Sequence, residues 1–260
     1  NGRALQVDDD GNLYGTHRDE EGRVSMWRAD AAGNVAELPY TDVPEYGHAF
    51  VVDDEGEVIA SSGSGRRSGV RLLRSTEHES TLVAGGEWGF RDGSGAAARF
   101  LPIGGMTRAP DGDLLVTSGA TIRRVDAEGR VRTIAANDKL LQPRTSFIAR
   151  ILGDVPQTHL SGIAVGARNE IYVANTARDV VVRITADGRT EEIVSCNHGW
   201  KPTGVATSNG ALYILEYGDG FFSENPEAQL ARIDWTRGNR TPVPAVSADV
   251  VAGLSPLTVQ

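Results

Sequence analysis

Few side chains in this 260-residue chain can do chemistry: five histidines, one cysteine and the acids. Glu216 with His17 or His48 would make a general acid/base pair if a low-dielectric cavity held them together, because burial and mutual charge bring both pKa values toward neutrality. Cys196 and His198 alternate onto one side of an extended backbone, the spacing a thiol–imidazole nucleophile needs. No third group stands by to orient the imidazole, so a structural cysteine is the better account. Zinc chemistry needs about three protein ligands and an open position, and His17, His48, His159 and His198 are the available donors. A lone histidine more often caps a turn or bonds a neighbouring element, and no metal is assigned. There is no phosphate-cradling Gly-Lys loop, no His-Glu-x-x-His and no Gly-x-Ser-x-Gly elbow.

Composition narrows the partners. A net charge of −9 with no block of Lys and Arg argues against nucleic acid, since neutralising a phosphate backbone takes clustered cations. No apolar run approaches the ~18 residues of a membrane span, and 31 Gly against 11 Pro reads as a turn-rich, soluble β protein. Cys196 alone cannot form an internal disulfide, which leaves the redox compartment open. The chain starts at Asn1 without Met or a signal-like segment, so the native N-terminus is expected upstream.

The elements that must position these groups come from an internal repeat. Its fullest copy is residues 84–134: an apolar run, an Asp-Gly turn, a second apolar run, a charged-apolar run and another Gly turn. The same unit opens at Ala4, Ala49, Gly105, Gly162 and Gly204, with turn markers Gly11, Gly56, Gly112, Asn169 and Gly210 spaced 45, 56, 57 and 41 residues apart. The last member of the fifth copy is weak and falls near residues 243–246. Short β-branched and aromatic runs between Gly, Asp and Asn turns are strand and hairpin signals, so each unit is one four-stranded antiparallel sheet. Radial stacking of such sheets gives an all-β propeller with five visible blades. Asp8-Asp-Asp-Gly11 has Gln6 and His17 where a calcium loop needs carboxylates, and reads as a hairpin turn. Residues 136–160 do not fit the repeat. Phe147, Ile148, Ile151 and Leu152 have helix-face spacing there, and an ordinary interblade loop is favoured over a lid.

In a propeller the convergent positions lie at one mouth of the central channel. Aligning the copies puts Arg3, His48, Gly104, Ser161 and Thr203 at the starts of inner strands, and His17, Ser62, Ser118, Asn175 and Glu216 at the ends of second strands. His48, Ser118, Ser161, Asn175, Thr203 and Glu216 are the candidate ligand-binding residues; His17, His48 and Glu216 are the candidate catalytic ones.

The stretch Ala84-Gly-Gly, Gly89-Phe-Arg-Asp-Gly93-Ser-Gly95 and Ala98-Arg-Phe100-Leu-Pro102, followed by its blade, resembles the linker and repeat of NHL propellers. It is similar by extension to the six-bladed gluconolactonase and strictosidine-synthase-like group. The resemblance implies a six-bladed architecture, of which residues 1–238 show five copies, so one blade is expected to be missing or shared between the termini, and a trimmed chain is favoured. Residues 239–260 resemble a linker and the opening of a PKD-type β-sandwich. Leu212-Tyr-Ile-Leu-Glu-Tyr-Gly218 to Asp234 resembles the last blade of secreted sugar-dehydrogenase-like propellers, which implies an extracytoplasmic setting. Gluconolactonases hold a divalent metal through an acidic residue and through Asn and Asp just before particular inner-strand glycines. Here those positions carry Ser161 and Thr203, neutral hydroxyls that do not offset the dehydration of a hard cation. The quinone cofactor of the sugar dehydrogenases, a tricarboxylate, needs clustered His, Arg and Lys that are missing, and no cofactor is assigned.

The leading expectation is therefore a propeller that binds a small molecule, carbohydrate or protein at its channel mouth. A metal-dependent lactonase or lyase is the alternative, and a sugar-dehydrogenase-like propeller a further one.

Overall fold

The structure, a computed structural model, describes residues 5–7, 11–18, 24–30, 32–38, 49–52, 56–65, 69–76, 79–136, 138–142, 160–196, 199–208, 210–218 and 228–234. Each sequence repeat forms one antiparallel sheet. Blade 1 is β1 (Leu5–Val7), β2 (Leu13–Arg18), β3 (Val24–Ala29) and β4 (Val35–Leu38); blade 2 is β5 (Phe50–Val52), β6 (Val58–Gly65), β7 (Gly69–Ser75) and β8 (Ser80–Gly86). A short strand β9 (Gly93–Ser94) precedes blade 3, which is β10 (Ile103–Arg108), β11 (Leu114–Ser118), β12 (Thr121–Val125) and β13 (Arg130–Ala135). Blade 4 is β14 (Leu160–Val165), β15 (Ile171–Asn175), β16 (Val180–Ile184) and β17 (Thr190–Ser195). Blade 5 has three described strands, β18 (Trp200–Ser208), β19 (Ala211–Gly218) and β20 (Ala228–Asp234).

The turn markers explain why the hairpins recur. Gly11, Gly56, Gly112 and Gly210 have φ between 74° and 89°, and Asn169 takes the same left-handed conformation at φ 60°. Gly112 N–H donates to Ala109 O and Ala109 N–H to Asp113 O; Asn169 N–H donates to Gly166 O and Gly166 N–H to Glu170 O. Glycine reaches that region without a Cβ penalty, and Asn is the residue that most readily replaces it.

The core lies between blades. Tyr14, Met26, Phe50, Val58 and Ala60 join blades 1 and 2. Ile59, Val70, Leu72, Phe100, Leu114 and Val116 join blades 2 and 3. Leu115, Ile122, Leu160, Val173, Val180 and Val182 join blades 3 and 4, and Tyr172, Val181, Leu212, Ile214 and Ile233 join blades 4 and 5. Burying a side chain of this size contributes roughly 1.5–3 kcal/mol, so these four interfaces dominate the fold. No such cluster joins blade 5 to blade 1 among the described residues. Five blades are present, not the six implied by the resemblance, because each of the five repeats builds one sheet and no described residues build another.

The linker ahead of blade 3 is stapled to it. β9 pairs with β13 as a fifth strand. The Arg123 side chain is wholly buried and reaches across to Asp92 at 2.6 Å, Arg91 O at 3.0 Å and Arg99 O at 3.2 Å. Its guanidinium carbon sits 4.8 Å from the Phe90 ring centroid and 5.2 Å from that of Phe100. Asp92 also accepts from Thr133 N–H at 3.0 Å and the Thr133 hydroxyl at 2.9 Å. Residues 143–159 and 239–260 lie outside the described residues, and with them the choice between loop and lid and the tail expected to resemble a PKD-type opening.

Candidate functional site

In blades 3 to 5 strand register puts the members of both predicted series at the same end of the sheets. Ser118 pairs with Ile103, Asn175 with Leu160 and Glu216 with Pro202, each one residue before Gly104, Ser161 and Thr203. A bulge follows in every case, between Ile103 and Met106, between Leu160 and Ile163 and between Pro202 and Gly204. The bulges turn the backbone of each inner strand toward the next blade. There the strands nearly touch: a Cβ on Gly105 would lie 2.1 Å from Ser161 O, and one on Gly162 would lie 2.7 Å from Gly204 Cα. Glycine permits this approach.

Hydroxyls at the same level join the blades. Thr117 Oγ1 accepts from Gly105 N–H at 2.8 Å and donates to Leu160 O of blade 4 at 3.0 Å. Ser161 Oγ lies 2.9 Å from Thr176 Oγ1, which donates to Pro202 O of blade 5 at 3.0 Å. Ser118 Oγ donates to Leu101 O at 3.0 Å, and Thr203 Oγ1 to Leu215 O at 3.3 Å. Asn175 is fully buried; its Nδ2 donates to Leu140 O at 2.8 Å, while Oδ1 has no partner among the described residues. These groups hold strands and loops together, as buried polar groups must.

Glu216 is buried on the face of β19 that carries Leu212 and Ile214, so it points toward blade 4. It accepts from Gln229 Nε2 at 2.6 Å and bonds the Cys196 thiol. Burial raises the Cys196 pKa, and the Glu216 hydrogen bond and charge, with the charge of Asp179, raise it further. A thiol kept protonated in this way is not a nucleophile, because the thiolate is the reactive form.

The structure thus brings Ser118, Ser161, Asn175, Thr203 and Glu216 to one end of the sheets, each in its own bonding arrangement. His48 lies outside the described residues, as do His78, His159 and His198; His17 lies on β2, and its side chain is not described. Among the described residues no group of three or more His, Cys, Asp or Glu could hold a metal ion. Ser161 and Thr203, at the positions where lactonases place ligands, are neutral and already bonded within the protein, so they do not fit a hard divalent cation. Sequence reasoning missed Thr117, Thr176 and Gln229. The first two sit one residue before Ser118 and one after Asn175, so the ring alignment skipped them; nothing in sequence pairs Gln229 with Glu216.

One cleft of about 270 Å³ lies elsewhere, between the turn ends of blades 3 and 4, lined by Asp111, Leu115, Arg124, Ile134, Val165 and Ile171 among others. Arg124 is ion-paired there with Asp113 and Asp111, which leaves it poorly placed to receive an anion.

No protein-family model and no curated protein matches this sequence. Solved β-propellers do. Virginiamycin B lyase from Staphylococcus aureus is similar at a TM-score of 0.56 and 18% identity, over 94% of this chain and 69% of that one. The nidogen/laminin complex gives 0.61 and 13%, over 90% and 75%. A putative gluconolactonase gives 0.53 and 14%, over 82% and 71%. At these identities the likeness establishes the propeller fold alone. No helix among the described residues is long and apolar enough to cross a membrane.

Proposed function

We propose that this chain is an extracytoplasmic binding propeller that receives a small molecule, carbohydrate or protein at the mouth near Ser161, Thr176 and Thr203. The observation that carries the binding reading is the use of the mouth-side polar groups. Ser118, Asn175 and Glu216 are buried and bonded to the frame, so they work as rigid supports, while Ser161 and Thr203 retain partial exposure at the mouth. Such a site recognises through fixed hydrogen-bonding edges without a poised acid or base. One of the similar propellers, nidogen, is seen in complex with laminin, which accords with a protein ligand.

The test is a thermal-shift and calorimetric screen of the purified chain against oligosaccharides and peptides, run beside turnover assays on a sugar lactone and on quinupristin. A stabilising ligand whose effect is lost in Ser161→Val or Thr203→Val supports the reading. Turnover that disappears in His48→Ala or Glu216→Gln would overturn it in favour of the lactonase or lyase alternative.

A further inference from the structure

Every blade repeats one cross-strand pair between its second and third strands. Tyr14 is paired with Arg28, Ile59 with Arg74, Leu115 with Arg124, Tyr172 with Arg183 and Tyr213 with Arg232. In blades 1 and 5 the pair is an arginine over a ring: the Arg28 guanidinium carbon lies 6.0 Å from the Tyr14 ring centroid, and that of Arg232 lies 5.8 Å from the Tyr213 centroid. In blade 4 the ring of Tyr172 is buried and its hydroxyl bonds Arg183. A cation beside an aromatic face is attracted by the ring quadrupole, so a ring is the natural companion of an arginine at this position.

Blades 2 and 3 carry an aliphatic residue in place of the tyrosine. Ile59 shares its core cluster with Phe100 of the linker, so the interface of blades 2 and 3 takes an aromatic ring from elsewhere in the chain. The cluster around Leu115 is aliphatic throughout among the described residues. The difference is visible as space. The cleft of about 270 Å³ between blades 3 and 4 is lined by Leu115 and Arg124 themselves, together with Ile134, Val165, Ile171 and Asp111. An apolar cavity of about 150 Å³ already admits a benzene-sized ring, so this one has room for a ring with a substituent.

The polar side of the cleft is also defined. Arg124 is fixed by Asp113 Oδ2 at 2.5 Å and by Asp111. Both contacts use N–H edges, and a guanidinium paired edge-on keeps its flat face for stacking. The Asp111 side chain is 58% exposed, which leaves its carboxylate open to a hydroxyl donor. Two carboxylates around one cation give the trio a net negative charge, and that favours a neutral ring over an anionic one.

We infer that the cleft between blades 3 and 4 binds a small neutral phenol, whose ring takes the place beside Arg124 that tyrosine holds in blades 1, 4 and 5 and whose hydroxyl donates to Asp111. The site lies at the turn ends of the sheets, away from Ser118 and Asn175, and the inference does not depend on what binds at the mouth.

The probe is para-cresol, with para-methylcyclohexanol as its saturated counterpart, and the readout is the methyl resonances of Ile134, Val165 and Ile171 in the complete chain. Para-cresol should shift these signals by ring current and bind about fivefold more tightly than the saturated alcohol, the factor that one cation–π contact supplies. Arg124→Met should abolish that preference. Leu115→Tyr, which supplies the ring from the chain itself, should weaken para-cresol by about tenfold or more. Unmoved methyl signals in the wild-type chain would overturn the inference, and so would equal affinity for the two alcohols; neither result depends on a variant that folds. A folded Leu115→Tyr chain that binds para-cresol as the wild type does would overturn it equally.

Discussion

Asp92→Asn tests the staple between the linker and blade 3. The substitution keeps size and one acceptor oxygen but removes the charge facing Arg123, whose side chain is 0% exposed. Breaking a buried ion pair costs about 3–5 kcal/mol because the surviving charge is left uncompensated. Asp92 itself is 48% exposed, so water can take part of its place, and the expected loss falls to about 2–3 kcal/mol. At roughly 2–4 °C per kcal/mol for a chain of this size, the melting temperature should drop by about 5–10 °C. Adding Arg123→Met removes the orphaned charge and leaves a thioether against Phe90 and Phe100, so the double variant should be no less stable than Asp92→Asn alone. The pH dependence gives an independent check. Burial alone would raise the Asp92 pKa, but the Thr133 N–H and hydroxyl together with Arg123 outweigh it and hold the carboxyl below its ordinary range. A depressed folded-state pKa means stability that is fully present above the unfolded value of about 3.9 and lost as pH falls through the folded value. Urea titrations at neutral pH and at about pH 3 should therefore show a large gap between wild type and Asp92→Asn that closes in acid. A gap under about 0.5 kcal/mol at neutral pH, the range of an ordinary surface change, would refute the staple.

Three further outcomes follow from the mouth. Thr117→Val keeps shape but strands Gly105 N–H and Leu160 O between blades 3 and 4, and should cost about 2–3 kcal/mol in urea unfolding, against about 1 kcal/mol for Ser118→Ala, which loses one bond to Leu101 O. Gly162→Ala forces a Cβ to within 2.7 Å of Gly204 Cα and should fail to yield folded protein by circular dichroism; a folded variant of wild-type stability would show that the inner strands are farther apart. Cys196 should resist a thiol reagent in the native state at mildly alkaline pH and react once denaturant is added, since burial and Glu216 keep it protonated; fast native labelling would contradict the buried pair.

The blades were legible because their signals are local. Gly11, Gly56, Gly112 and Gly210 announce left-handed turns, and Asn169 stands in for glycine on the same stereochemical ground. Alternating apolar runs such as Ala211-Leu-Tyr-Ile-Leu215 then fix the strands between them. The level of Ser118, Asn175 and Glu216 in their sheets was also legible, since their pairings follow from counting along the repeat. Their orientation was not. Whether Glu216 faces the channel or blade 4 depends on the parity of β19 beyond the bulge in β18, and one residue of offset exchanges the two faces. The bonds from Thr117 to Leu160 O and from Arg123 to Asp92 span 43 and 31 residues, distances over which no periodicity informs a reader.

The same distinction bears on function. In blades 1 to 3 the residue before the mouth position is Thr16, Ser61 or Thr117; blade 4 has Ala174 with its hydroxyl moved to Thr176; blade 5 has Leu215. Ser61 and Thr117 bond backbone carbonyls on inner strands, so the series is selected by contact between strands and carries no message about a ligand. Leu215 breaks the series with an exposed apolar side chain. The binding reading proposed above looks for specificity where the blades differ, as at Thr203, while the repeated positions supply the rigid frame.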